Sequence, residues 1–377
     1  MKKILSCILI MYLSIMIIND CALILLAAQD DKFFTRDNTV IFAVGILKWK
    51  RSDIYSSFPE KNRKDEMLIE YFRNMGVPEN KIFYLKNEKA GLKDIKLTLA
   101  KAISKCAKND TLLIYYCGHG FIKDTTDAYF VNYDAGDTEN EGWSINSIFE
   151  ALDKDFNGSK VLLAADCCHS GYLCQAASAS KKKQIYACFA SSLAREQSTG
   201  NWTFTEKFVE GLMGMRYIDA DSDGYISMAE LGESISCDMA FAEGQLSSSY
   251  FGDSIKGSSA FAKAESGKFA GPEKRIEAYS AGNWYKARIT DTADNKFKVH
   301  YFGWDYSCDE FVTEDKIREF KQPVYETGAS VDVKWQGKWY PAKIVRNVKN
   351  IYYIHYDDYD DVWDEWTGAD RIRNRKK

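Results

Sequence analysis

Apolar residues fall into short continuous runs that alternate with amphipathic segments. Thr39–Gly45 and 111–116 are runs of β-branched and other apolar residues, a pattern typical of strands buried on both faces. Segments 62–75 and 92–106 place apolar residues at helical spacing. Further elements are predicted at 81–86, 129–132, 144–152, 160–165 and 185–190. This alternation predicts an α/β fold whose mainly parallel sheet is flanked by helices.

The C-terminal part of the chain contains two copies of one unit. Its anchors recur at a constant offset of 55 residues: Trp284 and Trp339, His300 and His355, Asp309 and Asp364, Ile317 and Ile372. A constant offset without insertion indicates a tandem repeat. Each copy alternates short strands with turn residues, which predicts two small SH3-like β-barrels over 275–321 and 328–374.

The amino-acid composition indicates the remaining domain boundaries. The 377 residues are 46% hydrophobic, enough to bury a sizeable core over 38–245. Between 246 and 274 the chain is rich in Gly, Ser, Ala and Lys, which favours a linker. The formal net charge of -4 argues against a generally basic surface, so no nucleic-acid partner is predicted.

The first residues are typical of a targeting segment. Lys2 and Lys3 precede an apolar run over 4–18, and a second run follows over 22–28. This pattern predicts a signal peptide over 1–28 and an exported protein, while the whole stretch is also long enough to be an uncleaved membrane anchor. The eight later cysteines lack the even spacing of a disulfide framework. They are expected to be mostly buried, with at least one reactive thiol.

Two predicted strands end in reactive side chains. The run over 160–165 is followed by Asp166-Cys167-Cys168-His169-Ser170-Gly171, and the run over 111–116 is followed by Cys117-Gly118-His119-Gly120. A nucleophilic thiol needs a base, and the chain has four histidines. His300 and His355 occupy equivalent repeat positions, and His169 points away from its neighbour Cys168 on an extended segment. His119 is therefore the predicted partner of the reactive thiol.

These two motifs, about 50 residues apart, resemble the His and Cys motifs of the caspase and metacaspase peptidases of clan CD. The resemblance spans roughly 38–243. It implies that Cys168 is the nucleophile, that His119 is the general base and acid, and that backbone N–H groups of Gly120 and Cys168 form an oxyanion hole. Cys117 stands where the family commonly has Ser. A legumain-like or gingipain-like peptidase fits the Cys-His-Ser-Gly sequence less well.

The resemblance also implies a substrate preference. Metacaspases keep an acid two residues before the nucleophile, where this chain has Asp166, and Asp65 resembles their second pocket acid. Asp65 is equally explained as a charge at the start of a helix. With Cys117 in the wall, carboxylates in this pocket favour cleavage of protein or peptide substrates after Arg or Lys. The chemistry needs no cofactor, and Lys181-Lys182-Lys183 offers a basic target for self-cleavage.

An acidic loop fits the EF-hand pattern and predicts Ca²⁺ as a ligand. Its oxygen donors are Asp219, Asp221, Asp223, the Tyr225 carbonyl, Ser227 through water, and Glu230. Gly224 allows the turn. An acidic loop that caps a helix starting at Met228 produces the same pattern without a cation, so both interpretations stay open.

The repeats resemble Tudor-knot or chromo-barrel modules. In that family, aromatic residues box a methylated ammonium group by cation–π attraction, and the matching residues of the second repeat are Tyr340, Tyr356, Tyr359 and Trp363. The first repeat has Cys308 at the fourth place, so its cage is incomplete, and a general role in peptide docking is the broader expectation. The alternative to a peptidase is a catalytically silent caspase-like scaffold whose barrels bind peptides or methylated ligands.

Overall fold

The computed structural model describes residues 33–60, 63–123, 127–136, 142–265 and 274–375. From Phe34 onward these residues pack as one unit. The predicted signal peptide over 1–28 lies outside the described residues. No helix among those described has both the length and the apolar character needed to cross a membrane.

The first part of the chain forms a layered α/β domain. Its strands are β1 (Thr39–Gly45), β2 (Ile82–Lys86), β3 (Thr111–Cys117), β4 (Gly120–Ile122), β5 (Ala128–Phe130), β6 (Trp143–Ser144), β7 (Lys160–Asp166), β8 (Tyr186–Ala190), β9 (Tyr225–Ser227), β10 (Ser248–Phe251) and β11 (Ala260–Lys263). Its helices are α1 (Asp65–Asn74), α2 (Leu92–Lys105), α3 (Ile145–Asp155), α4 (Gly171–Ala179), α5 (Thr203–Met213) and α6 (Met228–Asp238).

The central sheet has the strand order β10-β8-β7-β3-β1-β2. All neighbouring pairs are parallel except β10 with β8, which is antiparallel. Every residue of β1 and β3 is buried, which explains their unbroken apolar sequences. The predicted mainly parallel sheet flanked by helices is confirmed.

Alternate residues of the strands supply two separate apolar layers. On one face, Phe42, Ile114 and Leu163 pack in a core with residues of helices α2, α3 and α4. On the other face, Phe189 packs against Phe208 of α5 with ring centroids 6.0 Å apart. Because side chains of a strand alternate between faces, these continuous apolar runs fill both layers.

The sequence prediction misses two helices that follow the Cys168 motif in the chain, α4 and α5. Helix α4 is rich in Ala and Ser and has little apolar contrast between its faces, so it lacks a clear helical pattern. Helix α5 is buried almost all round, including Glu206, Lys207 and Glu210, which makes it too polar to be recognised as a buried helix.

The predicted linker over 246–274 contains two strands. Ser248–Phe251 forms the antiparallel edge of the central sheet through its pairing with β8. Ala260–Lys263 pairs with β9 beside the acidic loop. Each strand has only four residues, Ser-Ser-Tyr-Phe and Ala-Phe-Ala-Lys, which is too short to show apolar periodicity, so only their tertiary pairing identifies them.

The two predicted barrels are confirmed as small antiparallel sheets. Barrel 1 (274–318) contains β12 (Lys274–Ser280), β13 (Asn283–Ala293), β14 (Lys296–Tyr301), β15 (Glu310–Val312) and β16 (Ile317–Arg318). Barrel 2 (330–374) contains β17 (Ser330–Trp335), β18 (Lys338–Val348), β19 (Ile351–Tyr356), β20 (Glu365–Gly368) and β21 (Ile372–Asn374). Both have the same strand order and the same register shift, after Ile289 and after Ile344.

Barrel 1 is joined to the α/β domain by buried charges. Arg288 is 1% exposed and pairs with Glu206 at 2.9 Å, with Asp238 at 3.3 Å, and with Glu210. His300 adds an ion pair of 2.6 Å to Glu206. Desolvated charges of opposite sign hold one another in place, so this network fixes barrel 1 against α5 and α6.

The cysteines differ from expectation in one respect. Cys174 in α4 and Cys188 in β8 form a disulfide. Their spacing of 14 residues gave no sign of this pairing, because only the packing of α4 on β8 brings the two together. Cys106, Cys117 and Cys167 are buried free thiols, as expected of small apolar side chains.

Candidate functional site

The two motifs meet at the carboxyl edge of the central sheet. Strands β3 and β7 are adjacent and parallel, and their last register pair joins Cys117 to Asp166. His119 and Cys168 each follow two residues beyond that pair. The strands therefore deliver an imidazole and a thiol to the same edge of the sheet, the edge where α/β proteins place ligands.

Backbone contacts hold the two loops together. The N–H of Gly118 donates to the Asp166 carbonyl at 3.3 Å. A Cβ atom on Gly120 would lie 2.2 Å from the Cys168 carbonyl oxygen, a distance that only glycine avoids. Gly120 thus lets the histidine loop approach the backbone of Cys168, at the positions predicted to form an oxyanion hole.

Aromatic side chains and one carbonyl hold the ring of His119. Its Nε2 lies 2.8 Å from the Ser56 carbonyl oxygen. Its ring centroid lies 4.4 Å from that of Trp49 and 4.7 Å from that of Phe58. Because a carbonyl only accepts hydrogen bonds, Nε2 carries the proton, and the Nδ1 of the neutral ring is the basic nitrogen.

Burial favours the neutral forms of both groups. It lowers the pKa of His119 and raises the pKa of the Cys168 thiol. Desolvation penalises charge, so burial favours the thiol form of Cys168 and the neutral imidazole form of His119. The Sγ of Cys168 also accepts the Ser198 N–H at 3.3 Å, and this bond opposes the effect of burial.

Buried serines position the turn that carries Cys168. The hydroxyl of Ser191 accepts the Cys167 N–H at 3.1 Å, and the hydroxyl of Ser192 accepts the Ser170 N–H at 3.1 Å. Sequence reasoning missed these residues. Their signal was the Ser-Ser pair directly after a buried strand, at the same sheet edge as Cys168. His169, beside them, has φ of 60°, a conformation uncommon for residues other than glycine.

Asp166 is buried beneath the site. Its Oδ2 accepts the hydroxyl of Thr205 at 2.7 Å and the N–H of Thr205 at 3.1 Å. Burial raises the pKa of Asp166 to about 6, although these hydrogen bonds favour the ionised form. Burial raises the pKa of the Cys117 thiol, and Asp65 and Asp166 are both close enough to raise it further. The structure thus brings together all three predicted pocket residues.

Asp65 already has a cationic partner. Arg63 donates from Nε to Oδ1 at 3.0 Å and from Nη2 to Oδ2 at 3.1 Å, and the hydroxyl of Tyr84 donates to Oδ2 at 2.6 Å. The Asp65 side chain is only 1% exposed. Arg63 was not identified from sequence, and it balances the charge of Asp65. Among the residues that the structure describes, Asp166 is the predicted pocket acid that forms no ion pair.

The acidic loop holds three of its predicted ligands together. Asp219, Asp221 and Asp223 each offer an oxygen within 4.8 Å of the others, a spacing that fits a cation. Glu230 lies outside this group. Its Oε1 accepts the Ala220 N–H at 2.8 Å, and its Oε2 accepts the Ser227 N–H at 2.8 Å.

Ser227 and Glu230 form a capping box at the start of α6. For these two residues the structure has the arrangement of the capping interpretation. The Ser227 hydroxyl is occupied by Glu230, at 2.8 Å, rather than left for a water in the loop.

Barrel 2 assembles the predicted aromatic residues. Tyr340, Tyr356 and Tyr359 have ring centroids 6.2 Å from one another. Trp335 joins them, 6.1 Å from Tyr340 and 6.2 Å from Trp363. Trp335 was missed because its counterpart in barrel 1 is Ser280, so the repeat comparison gave no reason to select it.

Barrel 1 has a smaller aromatic group. Tyr285 lies 6.0 Å from Tyr301 and 5.9 Å from Trp304. Cys308 stands at the position of Trp363 and is exposed. Three rings cannot enclose a cation as fully as five, so the aromatic site of barrel 2 is the more complete.

A comparison with known protein families finds a match in barrel 2. Residues 325–374 match the Tudor-knot family, described as an RNA binding activity-knot of a chromodomain. No curated protein matched the chain.

Two solved structures resemble the chain over 60% of its length. A protein from Geobacter sulfurreducens has 16% identity and a TM-score of 0.38, with 100% of that chain covered. The Drosophila initiator caspase Dronc has 14% identity and a TM-score of 0.40, with 84% covered. The chain therefore combines a mainly parallel α/β sheet domain, with a thiol and an imidazole at its carboxyl edge, and two barrel repeats, the second of which matches the Tudor-knot family.

Proposed function

We propose that the chain is a cysteine endopeptidase of the caspase and metacaspase type. The observation that carries this proposal is the register of β3 and β7, which sets His119 and Cys168 at equal distance beyond one strand pair. A thiol nucleophile and an imidazole base in adjacent loops are the two groups that nucleophilic attack on a peptide carbonyl requires.

In this mechanism each group has a defined role. The Nδ1 of His119 takes the proton of Cys168, whose Sγ attacks the carbonyl carbon of the substrate. The N–H groups of Gly120 and Cys168 stabilise the oxyanion. His119 then protonates the leaving amine, and water hydrolyses the acyl-enzyme through the same imidazole. The Ser56 carbonyl keeps the ring in the tautomer that leaves Nδ1 basic.

The proposed preference is for Arg or Lys before the scissile bond, and Asp166 is its main determinant. A buried carboxylate favours a cationic side chain when the two charges pair. Asp65 contributes less, because Arg63 already pairs with it at 3.0 Å. The preference therefore depends on the ionisation of a single acid.

Fluorogenic peptides that differ only in the residue before the scissile bond test this proposal. Turnover is expected after Arg and Lys, and it is lost in Cys168→Ala and His119→Ala. Equal turnover in the wild type and both variants would exclude the proposed chemistry. Turnover after Asp but not after Arg would retain the peptidase and reject the specificity.

The second candidate is a silent scaffold that binds ligands through its barrels. The five aromatic rings of barrel 2 favour it as an additional role, since they are arranged as a box for a cationic side chain. Mass spectrometry after treatment with a thiol-reactive peptide inhibitor separates the candidates. Labelling of Cys168 that depends on His119 supports the enzyme, whereas no labelling supports the scaffold.

We propose in addition that the acidic loop binds Ca²⁺. Asp219, Asp221 and Asp223 would hold the ion with the Tyr225 carbonyl, and Glu230 would have to leave its four donors to join them. Calorimetry with Ca²⁺ on the wild type and Asp219→Ala tests this. Identical heats for the two proteins would reject the site.

Export is the proposed location. The disulfide between Cys174 and Cys188 supports it, since disulfides persist mainly in oxidising compartments. N-terminal sequencing of the protein from its native source tests the proposed cleavage near residue 28, and an intact N-terminus would favour the membrane anchor.

A further inference from the structure

A large cleft separates barrel 2 from the α/β domain. Its volume is about 1210 Å³. One wall is the aromatic face of barrel 2, and the other consists of 193–197 and 243–246 with part of β10. Volumes of this order are ample for several residues of a bound peptide, since drug-sized ligands occupy roughly 300–1,000 Å³.

The barrel wall exposes more aromatic surface than packing requires. Trp335, Tyr359 and Trp363 are 39%, 48% and 55% exposed. They line the cleft together with Tyr340 and Tyr356. Contiguous exposed aromatic residues on a folded domain mark a binding surface. Their faces carry negative potential, which attracts a cation.

The charged residues of the cleft also favour a cationic ligand. Its six carboxylates outnumber its three cationic residues. The carboxylates belong to Glu196, Glu243, Asp361, Asp364, Glu365 and Asp370. One of the cationic groups, Arg371, is already paired with Glu365. An acidic, aromatic cleft attracts Lys and Arg side chains and repels a phosphate backbone.

The cleft reaches the segment that holds the nucleophile. The carbonyl of Glu196, in the cleft wall, accepts the His169 N–H at 2.8 Å. Two residues further on, the Ser198 N–H contacts the Cys168 Sγ at 3.3 Å. Gln245, also in the wall, donates to the Ser198 hydroxyl at 3.0 Å. A peptide in the cleft therefore lies beside the backbone that positions Cys168.

We propose that this cleft is an exosite that binds a Lys- or Arg-bearing segment of the protein substrate, with the cationic side chain among the rings of barrel 2 and the backbone against 193–197. The effect on cleavage rests on the proposed peptidase function. The binding itself does not. Recognition is thus divided between Asp166 at the scissile bond and the aromatic cleft at a distance.

Binding is tested first, on the full chain carrying Cys168→Ala. The probes are a Lys-rich octapeptide, the same peptide with each Lys replaced by Gln, and an oligouridine RNA. Tyr359→Ala is expected to weaken binding of the Lys peptide at least tenfold. Trp304→Ala is the matched control, because it removes the residue at the same position of barrel 1, which is 49% exposed and outside the cleft. It is expected to leave binding unchanged.

The contribution of the α/β wall needs its own variant. Glu196→Gln keeps an oxygen for the N–H of Trp366, which Glu196 accepts, and removes the charge. It is expected to weaken binding of the Lys peptide severalfold. Equal binding of the Lys and Gln peptides would overturn the inference. RNA binding that Tyr359→Ala abolishes would also overturn it, in favour of a nucleic-acid site.

Cleavage by the otherwise wild-type chain is tested second. Two substrates share one scissile sequence, and one of them carries a Lys-rich extension. The extension is expected to lower KM at least fivefold in the wild type and to have no effect on KM in Tyr359→Ala. Peptide binding without cleavage of either substrate would reject the peptidase and retain the cleft. Cleavage with neither binding nor an effect of the extension would reject the cleft alone.

Discussion

Cys117 and Asp166 are the last paired residues of two adjacent parallel strands, β3 and β7. His119 lies two residues beyond Cys117, and Cys168 lies two residues beyond Asp166. The register of the two strands thus sets the positions of His119 and Cys168. The rigid sheet beneath them limits how far the two side chains can separate.

The first prediction concerns Gly120. In Gly120→Ala the new Cβ would lie 2.2 Å from the Cys168 carbonyl oxygen, so the loops must separate. A displacement of about 1 Å at a reacting centre costs roughly 100-fold in rate, and we expect a fall in kcat/KM of that order. Gly232→Ala is the control, because its new Cβ would meet no neighbour closer than 3.5 Å. Wild-type activity in Gly120→Ala would contradict the close approach of the loops.

The second prediction concerns the ionisation of Asp166. Burial raises the pKa of Asp166 to about 6, so turnover of Arg substrates is expected to rise with pH through 6 as the carboxylate forms. Asp166→Asn is expected to lose roughly 10- to 100-fold in kcat/KM for Arg substrates, the cost of a charge-assisted hydrogen bond. An unchanged preference in this variant would show that another group selects the cation.

Stability provides a check that is independent of activity. Because the folded pKa of Asp166 lies above the reference value of 3.8, the folded state binds the proton more tightly between pH 4 and 6. Its contribution to the free energy of unfolding therefore falls by up to about 3 kcal/mol as pH rises through this window. Asp166→Asn removes this slope, which chemical denaturation at several pH values measures.

The third prediction concerns the buried charge network of barrel 1. Arg288→Met leaves Glu206, Glu210 and Asp238 without their shared cation, and we expect a loss of about 3–5 kcal/mol in the free energy of unfolding. Lys343 holds the matching position in barrel 2 and is exposed. Lys343→Met is expected to cost less than about 0.5 kcal/mol. Equal effects of the two changes would contradict the asymmetry of the barrels.

The fourth prediction concerns His300. Burial lowers the pKa of His300, but contacts with Asp309 and Glu206 outweigh burial and raise it above 6.5. The charged form therefore stabilises the fold fully below pH 6.5, and this stability is lost as pH rises through the raised pKa. His300→Gln is expected to remove that decline in a pH series of denaturation curves.

His355→Gln is the control for His300. His355 occupies the same place in barrel 2, also contacts an Asp, at 2.7 Å, but has a side chain that is 41% exposed. His355→Gln is expected to lower the free energy of unfolding at pH 6 by less than His300→Gln does. A larger loss in the control would place the pH sensitivity in barrel 2.

The fifth prediction concerns self-cleavage after Lys181, Lys182 or Lys183. The disulfide between Cys174 and Cys188 spans this basic run, so the two products would stay joined. We expect fragments of the wild type on reducing gels only. Cys174→Ser would release them without reduction, and Cys168→Ala would remain intact. Equal fragmentation in Cys168→Ala would show that another protease cuts the segment.

Sequence patterns predicted the strands and barrels whose formation depends on residues close together in the chain. Thr39–Gly45 was predicted with the bounds that the structure has, because a strand buried on both faces must be apolar throughout. The two barrels followed from the 55-residue repeat. Ser248–Phe251 was missed as a strand, because an edge strand needs no apolar face and owes its conformation to hydrogen bonds with β8.

The site shows the same division. His119 and Cys168 were identified because each follows an apolar run and belongs to a motif. Arg63, Trp335 and Ser191 were not, because their roles depend on partners that no motif specifies. Asp65 illustrates the consequence: its position was anticipated, but the cation that neutralises it was not.

The sequence by itself determined the continuous apolar strands, the repeats and the two reactive loops, since periodicity and motif are properties of neighbouring residues. Only the tertiary structure decided that Arg288 would be buried against Glu206, 82 residues away, while its repeat equivalent Lys343 stays exposed. It alone also decided that the aromatic face of barrel 2 opens toward the segment holding Cys168. The physical reason is that charge pairing and cleft formation depend on distances in space, which separation along the chain does not encode.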